Sequence, residues 1–258
     1  MNMKKIVMLL LFTCLSISGF AKDLALDKQD EFIAKLLKQQ VRQQISIEKS
    51  VSAILKRYPE KVERVINVAL SIYPYEYKQI LLGAIHAEPV LTCEVVDIFL
   101  AANIAESREV IQLAIASEPA YAKEIIAIAA DHDEENLQDI VRIAIKTEPF
   151  VSDTILDDTM QSYPERIVDI LTGAIMALPD QVMGFVTDTL DLFPEESEKV
   201  VEAAISSSPS EHAQDIVNAA VKAGMDKESA IKAAVNAGAE QSLFVNSETD
   251  EDKEKPNW

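Results

Sequence analysis

Glycine is scarce in this chain, with 6 in 258 residues, and so are cysteine (2), histidine (3) and tryptophan (1). The glycine shortage argues against β-rich folds, whose tight hairpins need residues at positive φ, and against glycine-built phosphate cradles. Bases are also short: 24 Lys and Arg stand against 43 Asp and Glu, a formal charge of −19. A chain this acidic is ill suited to nucleic-acid phosphates, which call for Lys and Arg, so no nucleic-acid partner is expected. Apolar residues are not lacking. At 48% they suffice for an ordinary folded core.

The first 21 residues have the zones of a secretory signal. Lys4 and Lys5 form a basic start, residues 6–15 are almost continuously apolar, and Gly19, Phe20 and Ala21 close the segment with small residues at −3 and −1. Leu11-Phe12-Thr13-Cys14 departs from a lipoprotein processing site in the bulk of Phe12 and Thr13. Cleavage after Ala21 would remove both Lys and no acid, carrying the formal charge from −19 to −21. Cys14 would go too, leaving Cys93 with no internal disulfide partner. The expectation is a bacterial periplasmic or secreted protein, not membrane-spanning once processed.

Proline then sets a clock. It stands at 59, 74, 89, 119, 149, 164, 179, 194 and 209, and every gap is 15 or 30 residues. Ile104 and Glu134 are the two places where the series is broken. With Pro as position 1, apolar residues recur at positions 7, 8, 11 and 12, as in Val65, Ile66, Ala69 and Leu70. Spacings of i, i+1, i+4 and i+5 share one face of an α-helix and do not share one face of a strand. Each unit is therefore a helix of about 11–12 residues, roughly 17 Å long, and a turn. Pro fits the first helical position and closes the helix before it. Where Pro is missing, Asn103 and Asp133 are expected to act as N-caps.

A second period overlays the first. Ala-Ile recurs at 84, 114, 144, 174 and 204, each time five and four residues before Pro89, Pro119, Pro149, Pro179 and Pro209, so the true repeat is a 30-residue helical hairpin. The expected organisation is a signal peptide over 1–21, N-terminal capping helices over 22–58, and five hairpins over 59–208. C-terminal capping helices follow over 209–241, ending at Gly224 and Gly238, and an acidic disordered tail over 242–258. The fold class is all-α: an α-solenoid of stacked hairpins on the order of 50 Å long. In outline it resembles HEAT-like and other helical-hairpin repeat proteins. The Trp, Leu-Gly and Tyr landmarks of tetratricopeptide repeats are missing, and the period is 30 residues rather than about 34. No family's functional residues carry over.

Candidate chemistry is sparse. The three histidines, His86, His132 and His212, lie in separate units, and no cofactor or catalytic residue is expected. Asp131-His132-Asp133-Glu134-Glu135 lacks the glycine of an EF-hand loop and reads as a solvated junction. Cys93 takes a position held by Glu63, Lys78, Arg108 and Lys123 elsewhere, which predicts an exposed thiol. Tyr73, Tyr75 and Tyr77 flank Pro74 and are a candidate partner contact. The best candidate site is a fault in the stripe. Val68, Ile98 and Ile128 give way at position 10 to Asp158 and Asp188, and position 11 changes to Thr159 and Thr189. With Gly173 between them, these residues predict a polar notch for a cation or a partner's donor group.

Charge is uneven along the chain. Residues 22–64 hold ten Lys and Arg against seven acids, and residues 65–258 hold twelve against thirty-six. A basic start on an acidic body suits head-to-tail self-association or docking on an anionic surface. The function expected is an exported binding or scaffold module that engages another envelope protein. The alternatives are an acidic cation-binding (Ca-type) envelope protein and, less in keeping with the residues, an enzyme with a carboxylate site.

Overall fold

The computed structural model describes residues 27–245. The signal segment and most of the acidic tail lie outside them. Among the described residues there are α-helices and short 3₁₀ turns, and no strands. The helices are α1 (Lys28–Arg42), α2 (Ile47–Leu55), α3 (Val62–Ile72), α4 (Tyr77–Ile85), α5 (Thr92–Ala102), α6 (Ser107–Ser117) and α7 (Ala122–His132). They continue as α8 (Leu137–Thr147), α9 (Ser152–Ser162), α10 (Ile167–Ala177), α11 (Val182–Leu192), α12 (Ser197–Ser207), α13 (Ala213–Lys222), α14 (Lys227–Asn236) and α15 (Ser242–Val245).

Each helix packs on the next and on the one after it. Odd-numbered helices therefore form one layer, even-numbered helices the other, and successive turns fall on opposite edges. This is the α-solenoid that the two periods predict. Positions 7, 8 and 11 are buried throughout the five central hairpins, from Val65, Ile66 and Ala69 to Val200, Val201 and Ala204. Burial of one continuous stripe stabilises helices that are too short to persist alone.

The punctuation is a 3₁₀ turn. Pro opens it, as in Pro59–Lys61 and Pro74–Glu76, and the α-helix begins three residues later. The residue before each Pro is extended, with φ −139° at Tyr58 and −130° at Tyr73, as the proline ring requires. Position 4 is the first true helical residue, and Val62, Leu137, Ile167 and Val182 are buried there, sealing the turn.

The two proline-free turns behave differently from the N-caps predicted for them. Asp133 adopts the same extended backbone (φ −154°) without Pro, and Glu134–Asn136 forms the usual 3₁₀ turn. Its carboxylate accepts from the Asn136 side chain at 2.6 Å and caps no backbone N–H. Asn103 instead ends α5 in the left-handed region (φ 49°), and no 3₁₀ turn precedes α6. Asn tolerates that conformation because its short amide can bond locally.

At both ends of the stack, local signals start and stop the helices. Ser46 accepts from Lys49 N–H at 3.3 Å to start α2, and Gly224 and Gly238 stop α13 and α14 at φ +108° and +104°. Chain assigned to the tail contributes one more helical turn, α15, whose Phe244 is buried. No single described helix is long and apolar enough to cross a membrane.

Candidate functional site

The predicted notch is taken apart by the fold. Thr159 and Thr189 are buried, and each hydroxyl donates back to its own helix, to Ile155 O and Phe185 O at 2.6 Å. Buried and turned back on its own helix, neither hydroxyl is open to a ligand. Gly173 belongs to the even layer, where it lies against the backbone of α8 and not beside either aspartate. What remains is a seam of carboxylates between α9 and α11.

In that seam Asp158 pairs with Lys123 of α7 at 3.3 Å. Asp188 has no such partner. Burial, then the nearby Asp153, Asp157 and Asp191, push its carboxyl above the usual range. Burial, then Asp153 and Asp158, do the same to Asp157, one of whose oxygens is buried without a hydrogen bond. No Lys or Arg occurs between Arg166 and Lys199 to relieve the repulsion. A raised carboxyl pKa means the folded state favours the protonated form, so these groups oppose folding at neutral pH. That penalty fades as pH falls through the raised values toward the unfolded value near ~4. Asp157→Asn with Asp188→Asn should therefore raise the urea midpoint at pH 7, a gain on the order of 0.5–1 kcal/mol after solvent screening. The difference from wild type should vanish near pH 4 or below; a difference that persisted there would show that charge is not its origin.

The tyrosine patch is also divided. Tyr73 and Tyr77 are half-buried against the core, and the Tyr77 hydroxyl donates to Glu109 of α6. That bond raises the phenol's pKa, and with help from Lys78 it lowers that of Glu109. Tyr75 alone of the three points outward, 95% exposed. Cys93 is half-buried rather than exposed, and burial, aided by Glu124, pushes its thiol up. A thiol held protonated is a slow partner for disulfide exchange.

Two of the three histidines act as staples between repeats. His86 Nδ1 lies 3.2 Å from Glu48 of α2 and its Nε2 lies 3.1 Å from Ser117 of α6. His132 Nε2 meets Asp97 of α5 at 2.8 Å. Among the described residues, no group of three or more His, Cys, Asp or Glu is placed to hold a metal ion.

The missing Pro at 104 has a structural consequence. Ser107 is exposed at position 4, where most other units bury a residue, and no 3₁₀ turn covers it. A cavity of about 320 Å³ opens there, with Leu100 and Ile140 in its wall and Arg108, His132, Asp133 and Asp139 among its polar lining. Leu100, expected in the buried stripe, is only half-buried as a result. The signal was present in the sequence as a missing Pro and a small Ser at one junction.

No protein-family model matches the chain, and no curated protein and no solved structure matches it significantly. The site is accordingly read from its own geometry.

That geometry sorts charge by edge. The five turns at 71–76, 101–106, 131–136, 161–166 and 191–196 share one edge and carry ten Asp and Glu against a single Arg, Arg166. The six turns on the opposite edge, from 56–61 to 206–211, carry six acids and four bases, with Val90 (69% exposed) and Phe150 (99% exposed) projecting outward. The fault cavity opens on the acidic edge. One side of the solenoid is thus acidic and indented, the other nearly neutral and studded with apolar side chains.

Proposed function

We propose that this chain is an exported helical-repeat binding or scaffold protein of the bacterial cell envelope, working in the periplasm or outside the cell through protein–protein contact. The observation that supports this reading is the division of labour within the repeat. Buried positions recur from hairpin to hairpin, while the same exposed position carries Glu60, Val90, Ala120, Phe150 and Asp180 in turn. A frame that repeats beneath a surface that varies suits recognition of one extended partner. The acidic edge, with its cavity midway, favours a partner segment rich in Lys or Arg.

In-cell crosslinking followed by mass spectrometry tests both parts of the reading. The mature chain is expected to start near Lys22, and a defined envelope protein is expected among the crosslinked peptides. Replacing Glu134, Glu135 and Glu165 with Gln should weaken its capture severalfold, and replacing Glu118 and Glu148 should not. An intact Met1 in envelope fractions, or capture indifferent to all five changes, would count against the proposal. The cation-binding alternative has no described cluster of ligating side chains behind it, and saturable heat on titration with Ca²⁺ would be needed to favour it.

A further inference from the structure

Among the described residues the first hairpin ends the stack, and no described helix lies in front of α1 and α2. Asp30 of α1 faces inward, bonded to Arg64 of α3 at 2.9 Å. Phe32 lies about 200° around the helix from Asp30 and points away from α3. It is 63% exposed. A terminal repeat ordinarily turns a polar face to water. Here the open end instead has two grooves. One, about 320 Å³, lies between the start of α1 and the end of α2 and is lined by Phe32, Leu36, Ile54 and Tyr58. The other, about 640 Å³, runs along α1 and is lined by three bases, Lys35, Lys38 and Arg42, against one acid, Glu31. These three bases recur at i, i+3 and i+7, one stripe of the helix, and all are exposed. None forms an ion pair among the described residues.

A ligand for this end needs several negative charges and, a short distance away, a large apolar group. The chain itself carries that pair beyond the described residues. Glu248, Asp250, Glu251, Asp252 and Glu254 are followed by Trp258, the single tryptophan. From Lys38 to Phe32 is about 9 Å along α1. From Asp252 to Trp258 the chain spans up to about 20 Å, so both grooves are within reach of one segment. Reach also decides which copy supplies it. Helix α15 packs on α13, and α13 stands six odd-layer steps from α1, about 50–60 Å along the stack. Asp252 is at most about 25 Å of extended chain from Val245, so a chain's own acids fall short of its own α1.

We propose that residues 248–258 of one copy dock on the open α1–α2 end of a second copy. The acids lie along Lys35, Lys38 and Arg42, and Trp258 enters the groove of Phe32, Leu36, Ile54 and Tyr58. Head and tail are different surfaces, so the contact is heterologous and builds an open row of copies rather than a closed pair. Attraction between exposed charges makes it sensitive to salt. This inference is independent of the envelope partner above, whose test is capture from cells rather than self-association.

Light scattering and tryptophan emission on the purified chain test it, since Trp258 is the sole reporter. At low salt, mass should rise with concentration beyond the monomer while emission moves to the blue. At about 0.5 M salt, affinity should fall by about tenfold or more. Lys35→Glu, Lys38→Glu and Arg42→Glu together should abolish both signals with the helical circular dichroism unchanged. Mixing that variant with one carrying Asp250→Lys, Glu251→Lys and Asp252→Lys should restore them. A chain that stays monomeric at low salt overturns the proposal. So does association that survives deletion of residues 247–258, or a blue shift independent of concentration, which would place Trp258 on its own chain.

Discussion

Ile115→Asp is expected to cost about 3–5 kcal/mol, enough to open the middle of the stack. Ile115 is fully buried at position 12 of α6, among apolar neighbours. A carboxylate there loses its water and gains no partner. In a solenoid each repeat touches only its neighbours, so damage should be local. Hydrogen exchange should quicken through α4 to α8 and change little in α12 to α14. Uniform quickening would mean that the repeats unfold as one unit. Leu100→Asp, at the same position one helix earlier, should cost less because Leu100 borders the fault cavity.

Gly173→Ala carries the second large effect. A Cβ on Gly173 would lie 2.4 Å from the backbone oxygen of Gln138, so α10 and α8 touch at the glycine itself. Backbone cannot swing aside as a flexible side chain can, and the two helices would have to part. A loss of about 1–3 kcal/mol is expected, although Ala is the better helix former. Gly83 sits at the equivalent position of α4, 2.5 Å from Glu48 O by the same construction, and should behave alike. Gly184 is the control. It lies in α11 with nothing within 4 Å of a Cβ, and Gly184→Ala should stabilise by about 0.5–1 kcal/mol. Urea midpoints of the three single variants separate these outcomes. Equal effects at 173 and 184 would remove close backbone contact as the reason for glycine.

The contrast between these glycines shows where legibility in the sequence stopped. Gly173 and Asp158 are neighbours in the aligned register, yet one faces α8 in the even layer and the other faces α7 in the odd layer. The aligned repeats show that a position departs from its pattern. They do not show which helix that position meets, because this depends on the stagger between hairpins. Thr159 and Thr189 went astray for another reason. A hydroxyl has a partner four residues back in its own helix, and only packing decides whether it turns there or outward.

By itself the sequence determined the helices, their lengths, the two layers and most of the buried stripe. Those follow from periodicity, since a stripe recurring every 15 residues can be covered only by stacking the units that bear it. Tertiary structure decided the rest. It tied Tyr77 to Glu109 and left Tyr75 in water, drew Cys93 half under cover, and turned Asn103 left-handed so that a cavity opened over Ser107. The Tyr77–Glu109 bond and the surroundings of Cys93 depend on residues about one repeat away, brought within a few ångströms by the stacking of hairpins, and local sequence pattern contains no record of that distance.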